Sequence, residues 1–117
     1  MFPQLPAAVR VFLCTQPTDM RKGFDGLTGL VREGFGQDPL TGHLFLFLNR
    51  RRDRIKILYF DRDGLAIWYK RLEAGSYQMP HAAGQDGVEL QPAQLAMLLS
   101  GIDLRTARQR KRFQRAG

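Results

Sequence analysis

Hydrophobic and polar positions alternate along this chain in short blocks separated by turn residues. Residues 9–15 (VRVFLCT) are apolar and β-branched and predict a short strand buried on both faces. Gln16, Pro17, Thr18 and Asp19 interrupt it, and Thr18 or Asp19 can cap a following helix. Met20, Phe24, Leu27, Leu30 and Val31 recur at helical spacing, with Phe35 extending the series. A helix is therefore expected over about residues 20–34. Gly23, Gly26 and Gly29 weaken it by about 1 kcal/mol each relative to Ala. Their regular spacing fits a close packing contact along one stripe, or simply a poor helix.

Residues 36–42 read as a turn region, and the unbroken apolar run 44–48 (LFLFL) predicts a buried central strand. After the polar connection 49–53 (NRRRD), residues 55–60 form the next expected strand. Ile55, Ile57 and Tyr59 share one of its faces; Lys56, Leu58 and Phe60 share the other. Residues 61–64 (DRDG) have hairpin-turn chemistry, with Gly64 expected to supply the positive φ. Residues 65–70 complete a three-strand meander. Gly75, Pro80 and Gly84 punctuate a less regular stretch, and residues 88–90 suggest an edge strand. Pro92 suits a helix start, Leu95, Leu98, Leu99 and Ile102 form an apolar stripe, and Gly101 is a stop signal. This order predicts an α+β fold with a mainly antiparallel sheet. One domain is expected over residues 1–103, followed by a flexible basic tail over 104–117.

Composition narrows the function classes. At 117 residues and 44% hydrophobic, the chain has enough apolar material for one globular core and too little for wholesale disorder. No apolar run reaches the roughly 20 residues of a membrane span, and no secretory signal is visible. The single cysteine, Cys14, excludes an internal disulfide and fits the reducing cytoplasm, the expected location.

Charge is more informative. The net charge is +7, and arginine supplies fourteen of the eighteen basic residues. Residues 50–73 carry eight basic and four acidic groups, 74–103 three acidic and none basic, and 104–117 six basic and none acidic. Guanidinium groups bind phosphate in a bidentate manner, so clustered arginine points to a polyanion. The densest cluster is Arg50, Arg51, Arg52, Arg54 and Lys56 at one hairpin, with Lys70 and Arg71 closing the meander. These seven residues are the candidate nucleic-acid contacts. They would supply affinity and salt dependence rather than sequence choice, leaving DNA and RNA undistinguished. Aromatics beside these cations can stack on unpaired bases or fill the core; Phe60 and Trp68 are expected to fill the core, and Tyr69 fits either role. Arg21 and Lys22 either join the basic surface or simply face solvent.

Candidate chemistry is sparse. Asp53, Asp61 and Asp63 could suggest a nuclease metal site, but Asp53 and Asp61 lie roughly 25 Å apart along one strand. Asp61 and Asp63 are explained as turn residues. His43 and His81 have no ligand spacing, Cys14 has no histidine near it in sequence, and phosphate-loop and nucleophile-elbow motifs are absent. No catalytic residue, metal or cofactor is expected.

Over about residues 8–103 the chain resembles the TnpB-type accessory proteins of insertion-sequence family sixty-six, encoded by the element's second reading frame. The resemblance rests on Asp19-Met20-Arg21-Lys22-Gly23 with Asp25-Gly26-Leu27. It continues in Phe47, Asn49-Arg50-Arg51-Arg52-Asp53 and Ile55-Lys56-Ile57-Leu58, then Asp61, Asp63-Gly64, Trp68, Lys70-Arg71-Leu72-Glu73 and Gly75. Leu98-Leu99 and Gly101-Ile102 also fit. Ser76 departs from a frequent basic residue, and the tail beyond Asp103 is variable in such proteins. The resemblance implies a non-catalytic helper in DNA transposition, working with a separate transposase. Two roles follow as expectations: binding DNA through the basic hairpin, or docking onto the transposase through the acidic block 74–103 and the leucine stripe.

Overall fold

A computed structural model describes residues 8–79 and 86–101 of the chain. Five strands form one sheet: β1 (Val11–Cys14), β2 (Leu44–Leu48), β3 (Arg54–Asp61), β4 (Gly64–Arg71) and β5 (Gly87–Leu90). Their spatial order is β4-β3-β2-β1-β5. All neighbouring pairs are antiparallel except β1 with β2, which run parallel because a helix connects them. The architecture is the α+β fold expected from the sequence, but the meander β2-β3-β4 forms one side of the sheet, with β4 at the edge and β2 in the middle.

One helix covers each face of the sheet. Leu95, Leu98 and Leu99 of α2 (Pro92–Ser100) pack on Val11, Leu13, Leu44, Leu46, Leu48, Ile55 and Ile57. Leu27 of α1 (Phe24–Leu30) and Val31 beyond it pack on Phe12, Phe45, Phe47 and Leu58. This double cover explains the unbroken LFLFL of β2: its leucines point to α2, its phenylalanines to α1, and every one is buried. The stripe Leu95, Leu98, Leu99 is therefore core, which removes it as a docking surface for a transposase; Ile102 lies outside the described residues. α2 begins at Pro92, with the Gln94 side chain accepting from the Gln91 N–H, and ends at Gly101 in the left-handed region.

The first helix departs from its expected span. It starts at Phe24 rather than near residue 20, because the carbonyls of Met20 and Lys22 are turned to the Lys56 ammonium at 2.7 and 2.8 Å. They are not free to accept bonds from the next helical turn. Asp19 does not cap the helix; its carboxylate accepts from the Arg21 N–H in a tight turn. Beyond Leu30 the chain widens into a π turn, Val31–Phe35, which ends at left-handed Gly36. That turn places the Phe35 ring among Phe12, Phe45 and Phe47, with centroids 5.8 to 6.3 Å away. The glycine stripe mediates no close helix contact. A Cβ at Gly23 or Gly29 would meet nothing within 4 Å, and one at Gly26 would meet the Lys22 side chain.

The β3–β4 turn differs in one detail. Positive φ falls on Arg62 (57°), not on Gly64. The Asp63 N–H donates to the Asp61 carbonyl, so the bend is made two residues earlier than the glycine suggests. The residues 104–117 expected as a tail lie outside the described part of the chain, as does His81.

Candidate nucleic-acid interface

The connection between β2 and β3 is a locked polar loop. The Asn49 side chain accepts from the N–H groups of Asp53 and Arg54, both at 3.0 Å, and donates to the Asp53 carboxylate at 2.6 Å. The Asn49 carbonyl accepts from the Arg52 N–H, and the Arg52 carbonyl accepts from the Tyr77 N–H at 2.7 Å. Arg52 is held at φ 60°, a left-handed conformation that costs an L-residue about 1–2 kcal/mol. With the backbone fixed, Arg50, Arg51 and Arg52 project outward and are exposed. None of the three forms an ion pair with a described carboxylate. Asp53, the nearest in sequence, is engaged by Asn49 instead.

The other four candidates separate. Arg54 and Arg71 are register partners on β3 and β4, two cations directly opposed. Such a pair is repulsive, and each guanidinium turns to its own acceptor. Arg54 donates to the Tyr69 hydroxyl at 3.0 Å, and Arg71 donates to Glu73 at 2.8 Å. Strand alternation puts Lys70 on the opposite face, beside Ile55, where it is exposed.

Lys56 does not project beside the arginines as expected. It is 9% exposed and faces α1, with its ammonium bound to two carbonyls and 4.8 Å from the Tyr69 ring centroid. The cause is steric and electrostatic together: the α1-side cover closes over β3 at this point, and carbonyls freed from helical bonding satisfy the charge. Tyr69 is 45% exposed, while Trp68 is half-buried against the α2-side core and Phe60 is half-buried.

Of the remaining cations near the sheet, Arg10 pairs with Glu89 at 2.6 Å and Arg21 with Asp19 at 2.7 Å. Arg21 holds the Asp19 carboxyl at about 2, well below the usual range, chiefly through the side-chain hydrogen bond. Arg10 likewise lowers Glu89. Asp53 and Asp61 sit at opposite ends of β3, and no group of three or more potential metal ligands occurs among the described residues. No described helix is long and apolar enough to cross a membrane.

Sequence reasoning missed the roles of Asn49 as the loop's brace and of Lys56 as an internal clamp. A signal for the second existed. Lys56 shares a face with Leu58 on a strand whose neighbour β2 is apolar throughout, so both faces had to be covered.

A small helix-covered sheet carrying a braced arginine loop, with no ion-pair partner for Arg50, Arg51 or Arg52 among the described carboxylates, defines a basic α+β protein. The chain belongs to the family of IS66 Orf2 like proteins, whose family model matches residues 9–109. Membership implies an accessory role in transposition of an insertion sequence. Two proteins of Sinorhizobium fredii are similar along most of their length. Uncharacterized protein y4hO is 42% identical over 97 residues, covering 83% of this chain and 84% of that protein. Uncharacterized protein y4jC is 34% identical over 96 residues, covering 81% and 80%. No solved structure matches the chain.

Proposed function

We propose that this chain is a non-catalytic accessory factor of transposition that binds nucleic acid, with DNA of the element the natural partner, through the loop 49–53. The observation that carries the reading is the set of three exposed guanidiniums on a loop whose backbone is immobilised and whose only carboxylate is engaged elsewhere. A loop backbone fixed in advance binds phosphates without the cost of ordering the main chain, leaving only that of the side chains. Arg54 and Arg71 extend the surface on the α1 side. Their mutual repulsion is relieved further when a phosphate lies between them.

The test is fluorescence anisotropy with labelled DNA across a salt series. Wild type binds with an affinity that falls steeply as salt rises, and the Arg50/Arg51/Arg52 triple Ala variant binds weakly with a flatter slope. Salt-independent binding, or an unchanged slope in the variant, overturns the proposal. The alternative, an adaptor docking onto the transposase without DNA contact, has lost its leucine stripe to the core, and Glu89 of its acidic block is paired with Arg10. A transposase pulldown with and without nuclease separates the two: association that survives nuclease favours the adaptor.

A further inference from the structure

Beside the arginine loop lies a preformed cleft of about 190 Å³, open on one side. It sits beyond the carboxyl ends of the parallel strands β1 and β2, a place where open sheets commonly receive ligands. Its walls are of two kinds. Pro17 and Met79 are apolar, while the Leu48 side chain is turned into the core; Thr15, Gln16, Asn49, Arg50 and Arg52 are polar or cationic. The walls are fixed by backbone bonds. The Thr18 N–H donates to the Leu48 carbonyl at 2.8 Å, Asn49 braces its own loop, and Arg52 is pinned between Asn49 and Tyr77. Left-handed Arg52 is itself notable. A non-glycine residue persists in that conformation only where its surroundings enforce it, and such residues gather at functional sites.

The volume is below the roughly 300–1,000 Å³ of drug-sized ligand pockets, and suits one flat ring system rather than a larger ligand. Pro17 and Met79 receive the faces of a heterocycle, as in sites that take a base out of its stack. Two guanidiniums at the rim receive the phosphate attached to it. We infer that this cleft accepts one unpaired nucleotide, base against Pro17 and Met79 and phosphate on Arg50 and Arg52. The protein is thereby a reader of single-stranded or frayed nucleic acid rather than of continuous duplex. The inference rests on the nucleic-acid reading above and narrows it to a ligand class.

The experiment compares three fluorescein-labelled DNA probes at one salt concentration: a blunt duplex, the same duplex with a three-nucleotide overhang, and the overhang strand alone. Wild type binds the overhang and single-strand probes at least tenfold more tightly than the blunt duplex. Gln16→Trp, which fills the cleft from its exposed rim, brings that ratio close to one and leaves blunt-duplex binding unchanged; Met79→Trp, which fills it from one wall, also brings the ratio close to one. Circular dichroism confirms that each variant is folded. Equal wild-type affinity for all three probes overturns the cleft assignment and leaves the arginine loop as a general phosphate binder. A preference that survives both tryptophans also overturns it. Absence of binding to every probe overturns the nucleic-acid reading as well.

Discussion

Lys56 shows how one side chain sets a helix boundary. Its ammonium takes two carbonyls that a longer α1 would have used internally, and its charge lies against the Tyr69 ring. Lys56→Met keeps the aliphatic stem and removes the donor. Met20 is half-buried and Lys22 exposed, so water reaches their carbonyls in part, and the loss is expected to cost about 1–2 kcal/mol. Urea denaturation reads this as a lower midpoint at unchanged m value. The salt slope of DNA binding stays as in wild type, because this ammonium is turned away from the phosphate surface. Asp19 provides a second residue-scale test. Its folded value near 2 lies below the ordinary 3.8, so its pairing with Arg21 contributes fully above about pH 4. The contribution is lost as pH falls through about 2. A carboxyl-carbon NMR titration gives a midpoint near 2 for wild type, and Arg21→Ala moves it upward into the ordinary range.

At the scale of elements, the glycines separate by what surrounds them. Gly29, late in α1, faces open space, so Gly29→Ala is expected to stabilise by up to about 1 kcal/mol through helix propensity alone. Gly87, at the start of β5, lies under Phe35, and a Cβ there would collide with the ring. Gly87→Ala is expected to destabilise by about 1–3 kcal/mol, since the added Cβ overlaps a Phe35 ring atom and displaces a ring packed on three other phenylalanines. Paired denaturation curves check the opposite signs. The contact is one the sequence gives no hint of, because Phe35 and Gly87 lie far apart in the chain and meet only where the π turn reaches the β5 edge.

For the molecule as a whole, both faces of the sheet are covered, so the exposed chemistry gathers at strand ends and loops. The loop 49–53 is the strand end that gathers three cations without an ion-pair partner among the described residues. If all three contact phosphates, the triple Ala variant reduces the slope of log K against log salt by roughly 2–3. A larger reduction means that the loop also orders contacts by Arg54 and Arg71, and no reduction removes the loop from the interface.

Much of this was legible in the order of residues. The meander, the edge strand, α2 with its stop, and the grouping of cations follow from local periodicity and turn chemistry, which act between near neighbours. Alternation even assigns Lys70 and Arg71 to opposite faces. The amino-acid sequence alone therefore determined the elements, their faces and the arginine-rich turn. Only the tertiary structure decided which cations remain available, because that depends on what covers each face. Lys56 is drawn inward by carbonyls 34 and 36 positions away. Arg10, Arg21 and Arg71 are matched to carboxylates. Arg50, Arg51 and Arg52 stay outside because Asn49 holds both their backbone and the aspartate beside them.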